Sequence, residues 1–137
     1  MTFVDMQTGW IVGDDGIILK TIDSGNHWLE QNTSTTEDLL SVDFIDEYQG
    51  WAVGKRGVIL NTSNGGENWE LQASPTTEKL YSIDFINEIN GWISGYRGTI
   101  LHTNDAGDNW SLQTSGTTKR LEDIFFLNSL LGWCVGY

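Results

Sequence analysis

A single cysteine, Cys134, excludes any disulfide within the chain, and its strand-like surroundings suit a small buried hydrophobe. One proline, Pro75, leaves the turns to glycine and short polar side chains. No stretch reaches the roughly 18 apolar residues of a membrane-crossing helix, so no membrane insertion is expected. Met1-Thr2-Phe3-Val4-Asp5 has no basic segment leading into an apolar core, and no signal peptide is expected there. Basic residues are scarce, with 7 Lys and Arg against 19 Asp and Glu, a formal net charge of −12. That balance argues against nucleic acid, whose phosphates need a basic surface, and favours a cationic or mixed partner.

What is abundant is tryptophan and glycine, 7 and 16 in 137 residues, and both recur with a fixed step. Gly-Trp pairs stand at Gly9-Trp10, Gly50-Trp51, Gly91-Trp92 and Gly132-Trp133, each 41 residues after the last. Phe3, Phe44, Phe85 and Phe126 keep the same register, as do Leu19, Leu60 and Leu101, and Gln31, Gln72 and Gln113. A period of this length without insertion marks a repeat architecture. Helical repeats would need apolar recurrence at three and four residues, which is missing.

Each period reads as four short antiparallel strands. In the third, Leu80 to Phe85 alternates, with Tyr81, Ile83 and Phe85 expected on one face; Trp92 to Ser94, Thr99 to Thr103 and Trp110 to Gln113 follow. Four strands per 40-odd residues is the dimension of a propeller blade. The expected fold is all-β: a partial β-propeller of about three and a half blades in one segment, 1–137. Its repeats run approximately 1–38, 39–79, 80–120 and, incomplete, 121–137.

The loop between third and fourth strands carries Ser/Thr-x-Asp-x-Gly-x-x-Trp. Thr21, Asp23, Gly25 and Trp28 fill it in the first repeat, and Thr103, Asp105, Gly107 and Trp110 in the third. The second copy, Thr62, Asn64, Gly66 and Trp69, has asparagine for aspartate. The side-chain oxygen should accept hydrogen bonds from turn amides, glycine should take a positive φ, and each tryptophan should be a core residue. Asparagine keeps a carbonyl oxygen for the same task.

The joint pattern Phe-x5-Gly-Trp-x-x-Gly-x-x-Gly-x-x-Leu-x-Thr-x-Asp-x-Gly-x-x-Trp resembles the photosystem II stability/assembly factor family of Asp-box (BNR) repeat propellers. The resemblance covers the whole chain. It implies a seven-bladed parent fold acting outside the cytoplasm, in the thylakoid lumen, periplasm or secreted space. It also implies a non-enzymatic scaffold that binds a protein partner.

In a blade, the turns after the second and fourth strands share one face of the propeller. Lys55, Arg56, Lys79, Arg97, Lys119 and Arg120 fall on that face, whereas Asp23, Asp46, Glu47, Glu67, Glu88, Asp105 and Asp108 fall on the other. Lys55, Arg56, Tyr96, Arg97, Lys119 and Arg120 are therefore the candidate partner-binding residues, suited to an acidic protein segment.

The alternative is a glycan-binding or glycoside-cleaving Asp-box propeller. A sialidase-type site would need three arginines and a tyrosine, and the chain has only Arg56, Arg97 and Arg120, with Tyr96 nearby; Arg56 and Arg97, however, are equivalent turn positions in successive repeats. Exposed tryptophans lining a groove would favour the glycan reading, and tryptophans between blades would oppose it. No catalytic residue, cofactor or metal is expected: His27 and His102 have no companions at zinc spacing, and the Asp-box lacks the alternating ligands of a calcium loop.

Both ends should expose blade flanks, Phe3 and Trp10 at one and Ile124, Phe126 and Trp133 at the other. Self-association through those ends is expected.

Overall fold

The alternating and β-branched segments form fourteen strands in the computed structural model, which describes residues 1–137. The first sheet holds β1 (Thr2–Phe3), β2 (Gly9–Val12), β3 (Ile18–Thr21) and β4 (Leu29–Gln31). The second holds β5 (Leu39–Phe44), β6 (Gly50–Gly54), β7 (Ile59–Thr62) and β8 (Glu70–Leu71). The third holds β9 (Leu80–Phe85), β10 (Gly91–Gly95), β11 (Ile100–Thr103) and β12 (Ser111–Gln113). A two-stranded sheet of β13 (Leu121–Asn128) and β14 (Leu131–Gly136) completes the chain. Each four-stranded sheet is an antiparallel meander, a blade, and the whole is a partial β-propeller.

The apolar cores lie between blades. One joins Trp10 and Ile18 of blade 1 to Leu39, Val42, Phe44, Ala52, Leu60 and Trp69 of blade 2. The next repeats it one blade on, with Trp51, Val53 and Ile59 facing the third blade's Ile83, Phe85, Ile93 and Trp110. At every joint the second-strand tryptophan lies flat on the first-strand phenylalanine of the following blade. The ring centroids are 3.6 Å apart for Trp10 and Phe44, 3.5 Å for Trp51 and Phe85, and 3.8 Å for Trp92 and Phe126, with planes within 9° of parallel. Glycine makes the stack possible: a Cβ on Gly50 would stand 2.5 Å from the Phe44 ring.

Two expectations about orientation need correction. In β9 a bulge shifts the register between Leu80 and Ser82, so Leu80 joins Ile83 and Phe85 in the core. Tyr81 is left half-buried, with the Lys79 ammonium 5.1 Å from its ring. The flanks also differ from expectation. Each second-strand tryptophan points forward to the next blade and each first-strand phenylalanine points back to the previous one. Trp10 is therefore fully buried, Ile124 is buried and Phe126 is covered by Trp92. The open flanks carry Phe3 at one end and Phe125, Leu127, Trp133 and Val135 at the other. Trp28, expected in the core, is only half-buried and meets the Phe3 ring edge-on, because no blade packs on its outer side.

The innermost strands are also clamped to one another by polar groups. Asp43 Oδ2 accepts the Phe85 amide at 2.8 Å, and Asp84 Oδ2 accepts the Phe126 amide at 2.6 Å. Ser82 Oγ donates to Asp123 Oδ1 at 2.7 Å. Burial pushes the Asp43 carboxyl up to about 6, offset in part by the Phe85 amide, and burial likewise raises Asp84.

Candidate protein-binding face

Loops and tight turns interlock to build the face that carries the basic residues. The Lys55 amide donates to the Asp38 carbonyl at 2.9 Å, and the Tyr96 amide donates to the Lys79 carbonyl at 2.8 Å. Each turn between second and third strands holds one non-glycine residue in the left-handed region, Asp15, Arg56 or Arg97, all at φ 55°, followed by a glycine also at positive φ. Aspartate tolerates that conformation, whereas arginine there costs about 1 kcal/mol. The turn lifts both arginines into solvent, their side chains 79% and 69% exposed.

The structure brings the candidates together only in part, and it pairs most of them with acids. Lys55 is bridged to Asp38; the contact holds the Asp38 carboxyl below its ordinary range and the Lys55 ammonium above its own. Arg56 Nε lies 3.5 Å from Glu37, Arg97 3.3 Å from Glu78, and Arg120 Nε 3.0 Å from Glu122. Arg97 and Arg120 also lie over tyrosine rings, those of Tyr96 at 5.6 Å and Tyr137 at 4.2 Å. Lys119 stands exposed on a polar loop, Thr114 to Lys119, that borders a shallow, open depression with no hydrophobic side chain in its lining. The partners Glu37, Asp38 and Glu78 come from the loops between blades. Positive charge is consequently graded, sparse beside Asp14 and Asp15 and densest around Arg97, Lys119 and Arg120.

The opposite face is organised by the Asp-box. Thr62 Oγ1 donates to Asn64 Oδ1 at 2.9 Å and accepts the Gly66 amide at 2.9 Å, while Asn64 Oδ1 accepts the Asn68 amide at 3.0 Å. Thr21 and Asp23 make the same set with Gly25 and His27, and Thr103 and Asp105 make it with Gly107 and Asn109. The carbonyl oxygen of Asn64 thus takes the place of a carboxylate oxygen. Gly66 and Gly107 sit at φ 90° and 88°. The Asp23 carboxyl is lowered to about 2, chiefly by the His27 amide. The indole N–H of Trp10 donates to Gly65 O at 3.3 Å and that of Trp51 to Ala106 O at 3.0 Å, so the second and third Asp-boxes also receive the preceding blade.

With this geometry in view, the comparison with known families is decisive. The sequence model of the family described as photosynthesis system II assembly factor YCF48 matches residues 1–70 and again residues 31–121. The chain belongs to this family. A solved structure, YCF48 bound to D1 peptide, shares 24% identity and superposes with a TM-score of 0.78 over 89% of this chain and 41% of that one. A second, YCF48 from Cyanidioschyzon merolae, shares 16% identity with a TM-score of 0.46 over 94% of this chain and 63% of that one. The chain therefore spans less than two thirds of either YCF48 structure. No curated protein matches the chain significantly.

The clamp residues Asp43 and Asp84 were not among the residues singled out from the sequence. Their signal was present in the 41-residue register, which places the same acid twice in a largely apolar strand.

Proposed function

We propose that this YCF48-family chain is a non-enzymatic protein-binding segment that takes an extended, acid-bearing peptide across the turns of blades 2 and 3. Lys55, Arg56, Tyr96, Arg97, Lys119 and Arg120 are the contact residues. The observation that carries the reading is the left-handed backbone at Arg56 and Arg97. Blade 1 has an aspartate suited to that conformation, whereas the next two blades hold a charged residue there against its backbone preference, and strain of this kind accompanies function. The ion pairs to Glu37 and Glu78 are solvent-exposed and weak, so an incoming carboxylate can replace them at little cost. A family member has been solved with a D1 peptide, and a D1-type peptide is the proposed ligand of this chain.

The glycan reading loses its platform in this geometry. Of the four tryptophans that could line a groove, Trp10, Trp51 and Trp92 are buried between blades, and Trp133 alone is exposed.

Titration of a fluorescent D1 peptide by anisotropy tests the proposal. Saturable binding that weakens with salt, and weakens at least about tenfold in the Arg56→Ala, Arg97→Ala, Arg120→Ala triple variant, is expected. Equal affinity of the triple variant at every salt concentration would place the peptide elsewhere.

A further inference from the structure

The second Asp-box lacks the carboxylate of the other two, and the residue in its place is followed by glycine. Asn64-Gly65 stands where the first box has Asp23-Ser24 and the third has Asp105-Ala106. Glycine leaves the amide nitrogen after an asparagine unshielded, because it carries no Cβ. That nitrogen, once deprotonated, attacks Asn64 Cγ; the new N–C bond expels the side-chain nitrogen as ammonia and closes a five-membered imide. Water then opens the ring, at Cγ to give aspartate or at the main-chain carbonyl to give isoaspartate. One water is consumed and one ammonia released, with no oxidant or cofactor.

The surroundings of Asn64 are those of a carboxylate. In the first box Asp23 Oδ2 lies 2.6 Å from His27 Nδ1, and in the third Asp105 Oδ2 accepts Asn109 Nδ2 at 2.9 Å. Both carboxyls are held below their ordinary range, Asp23 chiefly by the His27 amide and Asp105 chiefly by the Asn109 side chain. Asn68 occupies the same place in the second box and has the same side-chain donor as Asn109. Asn64 turns an NH2 group rather than an oxygen to that task, and only the main-chain amide of Asn68 bonds to it. The two donors on Asn64 Oδ1, the Thr62 hydroxyl and the Asn68 amide, also draw electron density from Cγ, the atom attacked.

We propose that Asn64 is a modification site, where deamidation to aspartate completes the second Asp-box. The fold sets when this happens. The Gly65 amide donates to the Tyr48 carbonyl at 2.8 Å, so the reaction waits for the loop to open locally. Asn90-Gly91 is the other Asn-Gly pair of the chain, but Gly91 lies in β10, paired on both sides with Phe85 and Thr103. A sheet must part before that nitrogen is free. The modification falls at a blade joint: the Gly65 carbonyl receives both the Trp10 indole and the Lys20 ammonium of blade 1. Aspartate at position 64 places a negative charge one residue from the carbonyl that Lys20 holds, and the joint tightens. Isoaspartate would lengthen the main chain at a turn that these contacts fix.

Peptide mapping by mass spectrometry tests this on the 137-residue chain, incubated folded and in urea in warm, mildly alkaline buffer. In urea the two Asn-Gly pairs should react at similar rates. In the folded chain Asn64 should gain one dalton at least about tenfold faster than Asn90, because a loop opens more readily than a sheet. Synthetic standards should identify the folded product as aspartate. The Asn64→Asp variant should unfold at a higher urea concentration than the wild type at neutral pH. A folded chain in which Asn64 stays intact or Asn90 reacts first overturns the proposal. So does a folded product that is mostly isoaspartate, or a variant with a midpoint no higher than the wild type. Asn64 lies on the face opposite the basic turns, so peptide binding there is tested separately.

Discussion

Trp51 lies flat on Phe85 of the next blade, 3.5 Å between ring centroids, while its indole N–H reaches the Ala106 carbonyl at 3.0 Å. One side chain thus supplies both the apolar contact and a directional bond across a blade joint. Truncation removes both, and Trp51→Ala should cost about 3–5 kcal/mol in urea unfolding. Trp133→Ala, on an exposed tryptophan, should cost well under about 1 kcal/mol. Equal losses at the two positions would contradict the joint described here.

The buried carboxylate of Asp43 gives stability an unusual pH dependence. Its folded value, about 6, lies above the ordinary 3.8, so the folded chain binds its proton more tightly than the unfolded one. The associated stability is fully present below about pH 4 and is lost as pH rises through 6. Asp43→Asn keeps an oxygen for the Phe85 amide without the charge. The variant should match the wild type near pH 4 and exceed it at pH 8 by up to roughly 3 kcal/mol. Chemical denaturation at the two pH values checks this, and a constant difference would remove Asp43 as the source.

Arg97 should separate stability from binding. Arg97→Gly relieves the left-handed backbone at φ 55° and should leave the protein as stable or up to about 1 kcal/mol more so. The same change should weaken the D1 peptide. A variant both destabilised and unchanged in binding would show that the arginine serves the fold.

Thr103 closes the third Asp-box through three hydrogen bonds, donating to Asp105 Oδ1 at 2.8 Å and accepting the Gly107 amide at 2.9 Å and the Asp105 amide at 3.3 Å. Thr103 is almost fully buried, so Thr103→Val leaves both amides without that acceptor and should cost about 1–3 kcal/mol. Loss of protection at the Gly107 amide in hydrogen exchange, ahead of global unfolding, is the local signature.

Much of this was legible in the spacing of a few residue types. Glycine before tryptophan, the recurrent phenylalanine and the Asp-box threonine report the blade directly, because each is demanded by backbone geometry or a close stack. What the spacing hid was direction. A strand offers two faces, and only the packed blades show that Trp10 and Phe126 turn inward while Trp133 turns out. The bulge at Leu80 reverses the alternation that placed Tyr81 in the core. Nothing in the spacing gave Asp43 and Asp84 a partner, yet their carboxylates accept amides one repeat away. The acids that pair with the basic turns, Glu37 and Glu78, precede Arg56 and Arg97 by 19 residues and join them only through the loops between blades.

The unbroken 41-residue spacing bears on how the molecule comes apart. Every core is shared by two adjacent sheets and none spans three, so the chain behaves as a linear array coupled between nearest neighbours. The second blade is held on both sides, by one core shared with blade 1 and another shared with blade 3. Breaking either joint should therefore release it only in part, with amide exchange slowest in β6 and β7.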